Sequence, residues 1–289
     1  MITKNRLPAW FKQELPDSSV LELQKQLKAG NIHTVCQEAR CPNINSCFKR
    51  HTATFLILGD TCTRACAFCA VKKSSCGLVP DSNEPARIAS IVRQMRLDYA
   101  VITSVTRDDL KDGGAQIFIN TAGEIRKVSP KTKIELLIPD FKGKRGIIKA
   151  VVGAKPDMLG HNLETVRRLY PVLLPQADYK RSLQVLKLIK EFNPMMITKS
   201  SLMLGLGESS NELVTAMRDL RMAGCDILVM GQYLSPSKDH YPVKEFLSPE
   251  KFDELARLAK TMGFRNVLSG PKMRSSFQSS SVYRELNYA

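Results

Sequence analysis

Residues 36–69 read CQEARCPNINSCFKRHTATFLILGDTCTRACAFC and hold six of the chain's eight cysteines. They fall into two groups of three: Cys36, Cys41 and Cys47, then, after fourteen residues, Cys62, Cys66 and Cys69. A structural zinc site takes four protein ligands, commonly as two Cys-x-x-Cys pairs. A cubane iron–sulfur cluster has four irons, each wanting a terminal ligand, usually a thiolate. Three cysteines leave one iron for some other donor, and the stretch contains two such vacancies. Between the groups lies TFLILG (54–59), an apolar run of strand length, so the second group occupies the loop that follows a strand.

Other uses of closely spaced thiols exist. Disulfides would suit an oxidised protein, but MITKNRLPAWFKQELP has no apolar core of a secretory signal, and the expectation is cytoplasmic. Cys66 and Cys69 alone would fit a redox pair or half a zinc site. Cys76 and Cys225 match neither spacing and read as plain thiols, Cys225 buried before a strand.

Outward from this stretch, the 289 residues suffice for one large domain or two small ones, and no run approaches a membrane span. Lysine plus arginine number 43 against 28 acidic residues, a net charge of +15 that favours an acidic partner. The cations are spread out and aromatic content is only 7%, so nucleic acid is not favoured and an acidic protein fits at least as well. Residues 1–50 do not read as barrel. Trp10 and Phe11 are expected to anchor them, residues 18–30 to form a helix capped by Ser19 and Glu22, and the first cysteine group to lie in irregular chain.

From residue 52, short apolar runs alternate with amphipathic segments. Strands are expected at 54–59, 99–105, 133–138, 157–162, 197–204 and 226–234, near-continuously apolar as in a parallel sheet covered on both faces. Helices are expected through Ile88, Ile91, Val92 and Met95, through Leu213, Met217 and Leu220 behind a Ser209–Glu212 capping box, and through Phe252, Leu255, Ala256 and Ala259 after Ser248-Pro249. Six such units argue for an α/β architecture, as a barrel segment or a doubly wound sheet. The tail from Arg274 is Ser-rich and polar.

The Cys62, Cys66 and Cys69 spacing, with Phe68 before the last cysteine, resembles the motif of the radical S-adenosylmethionine (SAM) superfamily. The first triplet with its ARCPN phrase, TFLILGDTCTR, GQYLSPS (231–237) and SGPKMRSSF (269–277) resemble the lipoyl synthase family within it, over about residues 30–277. The resemblance implies a partial (β/α)6 TIM-type barrel over residues 51–270. An N-terminal extension, 1–50, would carry auxiliary cysteines, and a tail, 271–289, a serine ligand. In a barrel of this type the strand C-termini face the active site, which places the second triplet there.

By that resemblance Cys62, Cys66 and Cys69 hold a 4Fe–4S cluster whose open iron binds SAM. Cys36, Cys41 and Cys47 hold an auxiliary 4Fe–4S cluster with a serine, Ser276 first and Ser275 second. The family's closing Tyr is Phe277 here, and its usual Gly is Ser201. Thr103 and Ser104 are expected near the amino-acid end of SAM, Asn162 and Glu164, ahead of His161, at its ribose, and Gly205 and Gly207 at its adenine, with the alternatives of solvated loops and a plain tight turn. Lys199 is a candidate for a carboxylate contact. The implied reaction is insertion of two sulfur atoms, drawn from the auxiliary cluster, into an octanoyl chain on a lysine of a lipoyl carrier domain. Implied partners are the dehydrogenase acyltransferase subunits and the glycine cleavage carrier protein, with flavodoxin or ferredoxin as reductant. No catalytic dyad is expected, because no side-chain base reaches so weakly acidic a carbon. Two rivals are a tRNA methylthiotransferase with two clusters and a non-enzymatic zinc or nucleic-acid binding protein.

Overall fold

Among the residues that the computed structural model describes, 7–11, 15–50 and 52–288, the alternating apolar runs build one eight-stranded sheet. The chain enters through α1 (Ser18–Ala29), β1 (His33–Thr34), α2 (Val35–Glu38) and α3 (Ile44–Lys49). Strand β2 (Thr54–Ile57) follows; then β3 (Thr61–Cys62) and β4 (Lys72–Lys73), a small parallel ribbon that brackets Cys66 and Cys69. The repeating part continues with α4 (Glu84–Gln94), β5 (Tyr99–Ser104), α5 (Ala115–Val128), β6 (Lys133–Leu137), α6 (Arg145–Gly153) and β7 (Met158–Gly160). After α7 (Tyr170–Leu173) and α8 (Tyr179–Phe192) come β8 (Ile197–Leu204), α9 (Ser210–Met222), β9 (Ile227–Gln232), α10 (Pro249–Thr261), β10 (Asn266–Gly270) and α11 (Ser279–Tyr288).

The sheet order is β1-β2-β5-β6-β7-β8-β9-β10, with β1 antiparallel to β2 and every other neighbouring pair parallel. This is the partial barrel of six strand–helix units, with a seventh parallel strand, β10, that periodicity did not single out. Only Val267 and Leu268 in β10 are apolar, and only Val267 and Gly270 are buried, so the segment lacks the continuous apolar run of its neighbours. The fourth strand is also shorter than its apolar run, ending at Gly160.

The helices form where spacing placed them. Ile88, Ile91 and Val92 of α4 are buried, and the Ser209–Glu212 capping box is closed in both directions. Ser248 caps α10, whose first residue is Pro249. At α1 the cap is different: the helix starts at Ser18, and the Asp17 carboxylate accepts the Val20 amide at 3.2 Å. The Ser19 side chain, residues 1–6 and residues 12–14 of the expected extension lie outside the described residues. Phe11 is buried, its ring 6.1 Å from that of Phe246.

Two expectations of irregular chain are corrected. Cys36 lies on α2 and Cys47 on α3, short helices that a four- or six-residue sequence window cannot signal. The Ser-rich tail becomes α11, because Val282, Tyr283 and Leu286 share one face. That face packs on Met158, Ile197 and Ile227, the first residues of β7, β8 and β9, and so plugs the N-terminal end of the barrel. Each such buried side chain contributes about 1.5–3 kcal/mol. Lys199 makes a buried ion pair with Glu135 there and donates to Ser279 Oγ at 2.7 Å, tying α11 to the barrel. The opposite, C-terminal end of the strands is left for the site. No helix among the described residues is long and apolar enough to cross a membrane.

Candidate active site: two thiol groups facing one cavity

The Cys62–Cys69 loop leaves the end of β2 and is pinned from several directions. Thr63 donates its amide to the Thr106 carbonyl (2.9 Å), Ala67 to the Leu173 carbonyl (2.9 Å), and Ala65 to Gln176 Oε1 (2.6 Å). The Tyr241 amide and His240 Nε2 bond the carbonyls of Ala67 and Cys69, at 2.9 and 3.1 Å. Cys62 Sγ accepts the amides of Thr106 (3.3 Å) and Arg64 (3.4 Å). Inside the loop, Arg64 is 7% exposed and makes a forked bond to Asp108 (2.8 and 3.0 Å) and a third to Asp140 (2.6 Å). Burial pushes the Cys66 thiol up to about 12, with Cys69 and Cys62 adding to it, so the three sulfurs lie within electrostatic reach of each other.

The first group is built the same way from different elements. Thr34 Oγ1 caps α2 by accepting the Gln37 amide, setting Cys36 in the first turn, and the Cys41 amide closes on the Cys36 carbonyl at 3.0 Å. Asn43 Nδ2 donates across the molecule to the Lys272 carbonyl (2.7 Å) and draws in the segment after β10. Burial pushes the Cys36 thiol up to about 12, and Cys41 and Cys47 push the same way. Cys47 is raised by burial and by Cys41. Arg274 lies within reach of Cys41, and Arg50, beside Cys47, stacks over the Phe277 ring at 5.2 Å. Phe277 thus serves as a cation platform, a use that needs no hydroxyl.

Both groups open on one cavity of about 690 Å³ at the C-terminal ends of the strands, within the usual range for a small-molecule site. Cys36, Cys41, Cys62, Cys66 and Cys69 all line it. A second, smaller cavity of about 310 Å³ holds Cys47 and shares Cys36, Cys41, Arg274 and Ser276 with the first. Ser276 Oγ accepts from Thr54 Oγ1 at 2.7 Å, whereas Ser275 Oγ reaches away to Asn162 Oδ1 at 2.9 Å.

Most of the expected polar residues are in the cavity wall: Thr103, Ser104, His161, Asn162, Glu164 and Ser201. Thr103 is engaged with the Leu137 carbonyl (2.8 Å), but Ser104 Oγ and His161 Nε2 are buried without a partner among the described residues. The other ring nitrogen of His161 bonds the Ile138 carbonyl at 2.8 Å, and burial lowers its pKa. Glu164 holds a left-handed backbone, φ 67°, which is strained for a residue with a side chain. Burial pushes its carboxyl up to about 7, and it lies within reach of Cys66 and Cys69.

Three expectations are placed elsewhere. Gly205 does not line the cavity; its φ of 90° belongs to a tight turn in which a Cβ would strike Gln232 Nε2 and the Glu245 carbonyl. Gly207, φ 100°, is likewise outside it. Lys199 is buried at the far end of the barrel with Glu135. Cys225 is buried just before β9, and Cys76 is exposed. Arg64, Asp140 and Thr54 join the site without having been expected from the sequence. Arg64 sits between two cysteines and Asp140 just beyond a strand's C-terminal end, positions that mark both for the site; Thr54 carried no such signal.

The donor set fits a large inorganic group. No three His, Cys, Asp or Glu side chains among the described residues form a group for a single metal ion; zinc would draw its thiolates to within about 4 Å of one another. Three thiols to a group, with amide donors, nearby guanidinium groups and an apolar surround, suit iron atoms that stand apart and each take one thiolate.

A profile of the radical SAM superfamily matches residues 56–220, and one of the N-terminal domain of lipoyl synthase of that family matches residues 2–41. The chain is 51% identical to "Lipoyl synthase" of Caldicellulosiruptor saccharolyticus, over 95% of this chain and 96% of that one. It is 52% identical to the protein of that name in Geotalea uraniireducens, over 94% and 95%. Among solved structures, methylornithine synthase superposes with a TM-score of 0.56 at 13% identity, covering 80% of each chain. Streptococcus suis SuiB bound to S-adenosylmethionine gives 0.52 at 13% identity, over 86% of this chain and 59% of that one; both are likenesses of fold.

Proposed function

The chain belongs to the lipoyl synthase family of the radical SAM superfamily, and from that premise we infer that it inserts two sulfur atoms into an octanoyl chain carried on a lysine of a lipoyl carrier domain. It is a sulfurtransferase that uses two 4Fe–4S clusters and SAM. When bound, these groups supply one-electron chemistry able to break an unactivated C–H bond, together with a source of sulfide. The observation that carries the reading is that Cys62, Cys66 and Cys69 line the same cavity as Cys36 and Cys41, with Cys47 in the smaller cavity beside it.

In this reading Cys62, Cys66 and Cys69 hold the cluster that binds SAM. Thr103, Ser104, Asn162 and Glu164 meet SAM, and the unpartnered Ser104 Oγ and His161 Nε2 are the groups with hydrogen bonds still to make. Cys36, Cys41 and Cys47 hold the auxiliary cluster, with Ser276 as the fourth donor. Ser276 is favoured over Ser275 because it borders both cavities beside Cys36 and Cys41, while Ser275 is engaged with Asn162. Arg274 and Arg50 offset the charge of the auxiliary thiolates. Leu56, Leu137, Leu202, Val229 and Met273 give the alkyl chain an apolar wall and keep water from the reacting carbons. Residues 1–50 supply the auxiliary thiols, 51–270 the barrel and 271–289 the serine.

Octanoylated carrier proteins are the substrates. The net charge of +15 supports acidic ones: dehydrogenase acyltransferase subunits, the glycine cleavage carrier protein, and flavodoxin or ferredoxin as reductant, in the cytoplasm. The test is anaerobic turnover of the reconstituted protein on an octanoyl-lysyl peptide, with mass spectrometry for added sulfur and an iron assay. About eight irons per chain and a product heavier by two sulfurs are expected. Cys36→Ala is expected to keep SAM cleavage and abolish sulfur insertion; iron at or below four per parent chain, or no added sulfur, refutes the reading.

A further inference from the structure

Thr54 is the first residue of β2, only 6% exposed, and it lies beside both halves of the auxiliary ligand set. Its hydroxyl donates to Ser276 Oγ at 2.7 Å, across 222 residues of sequence. Thr54 also borders both cavities beside Cys36. Ser276 follows β10, at the opposite edge of the sheet from β1 and β2, so this contact spans the open seam of the barrel. Upstream, Gly231 of β9 lets the chain in: a Cβ there would come within 2.0 Å of the Met273 carbonyl oxygen. Downstream, Ser279 is held by Lys199 at 2.7 Å.

We propose that Thr54 is a positioning residue for the auxiliary cluster, its hydroxyl holding the Ser276 oxygen toward the three thiols. The inference rests on the reading of Ser276 as fourth ligand. A free serine hydroxyl samples three rotamers, and a hydrogen bond at 2.7 Å selects one. A metal-bound serine oxygen has no proton to give, so a neighbouring hydroxyl serves it only as donor, and Thr54 already stands in that role. The methyl group of Thr54 contributes packing; the hydroxyl contributes the placement of oxygen.

The test uses the full chain with Cys62, Cys66 and Cys69 all replaced by alanine, so that only the auxiliary thiols load iron. Thr54→Val keeps the shape and a strand-favouring side chain; Thr54→Ser keeps the hydroxyl. Iron and sulfide content, the rate of iron release to a ferrous chelator, and the electron paramagnetic resonance signal of a three-iron cluster are measured for each, beside Ser276→Ala. Thr54→Val is expected to release iron about tenfold to a hundredfold faster, the range for a hydrogen bond to a charged group, and to show the three-iron signal. Thr54→Ser is expected to match the parent. If Ser276→Ala loses iron while Thr54→Val behaves as the parent, the role of Thr54 falls and the ligand stands. If Ser276→Ala also keeps four irons, the ligand reading itself fails. If Thr54→Ser is as labile as Thr54→Val, the methyl rather than the hydroxyl is at work and the proposal is overturned. Should Thr54→Val not fold, Thr54→Ala against Thr54→Ser reads the same difference.

Discussion

Replacing Arg64 by methionine removes three hydrogen bonds from inside the second thiol loop: two to Asp108 and one to Asp140. The two carboxylates respond differently. Asp108 is 22% exposed and can turn to water, whereas Asp140 is 1% exposed and cannot. Asp140 does keep Arg181 Nε at 2.7 Å and the Lys142 amide at 3.0 Å. The loss therefore belongs at the low end of the 3–5 kcal/mol expected on breaking a buried pair, about 3 kcal/mol. In an Asp140→Asn background the same replacement is expected to cost only about 1 kcal/mol, since only the pair with half-buried Asp108 remains to be lost. The dependence on pH has a definite sign. Burial alone would raise the Asp140 carboxyl, but the Arg64 hydrogen bond and charge outweigh it and hold the group well below the usual carboxylate range. A lowered folded pKa gives stability that is complete above the unfolded value, near 4, and is lost as pH falls through the folded one. The deficit of Arg64→Met is thus full at pH 7 and narrows below about pH 4. Urea unfolding of the metal-free protein, followed by circular dichroism at both pH values, measures it. An equal cost with and without Asp140, or a deficit that widens in acid, would refute the reasoning.

Gly231→Ala sets a Cβ against the Met273 carbonyl, where backbone on both sides leaves little to yield. It is expected to cost about 2–3 kcal/mol in urea unfolding and to loosen auxiliary iron as Ser276→Ala does; a neutral result would show that the 273–276 turn shifts freely. Glu164→Gln acts oppositely on the metal-free protein. A folded pKa raised to about 7 means that ionisation opposes folding as pH rises from the unfolded value toward 7. The variant is expected to gain about 2 kcal/mol at pH 8, after allowance for cavity water, and nothing at pH 4. A melting temperature that is unchanged at pH 8 would place Glu164 in open solvent.

The fold was legible where each element carried its own signal. Strands β2, β5 and β9 are largely apolar runs, β6 and β8 carry shorter apolar stretches, and α9 and α10 carry caps spaced as helix starts require. Strand β10 was not, because its pairing with β9 makes it a strand more than its own side chains do. Helix α11 was hidden for a related reason: five serines among residues 275–281 look like solvated chain until the barrel's end offers Val282 and Tyr283 a place to bury.

The same division runs through the site, and it has a physical cause. In the proposed reading iron demands a particular ligand chemistry, so its ligands are cysteines, and a loop of a few residues is the easiest way to bring three of them together. Candidates of that kind, and their spacing, are therefore visible in the sequence. The groups proposed to hold those ligands in place obey a weaker chemical demand, since any hydroxyl, amide or carboxylate at hydrogen-bond distance will serve. They are recruited by tertiary proximity: Arg64 to Asp140 across 76 residues, Ser275 to Asn162 across 113, Thr54 to Ser276 across 222. Nothing local distinguishes Thr54 from the other threonines. This also explains why Gly205 misled: a Gly-x-Gly after a strand reports a backbone turn, and the turn here is closed by Glu208, which accepts the Gly205 amide at 2.6 Å and the Leu206 amide at 2.8 Å. Ligand type is thus written locally and ligand placement globally, and variants of the placing residues, with every cysteine left intact, are the ones that separate the two.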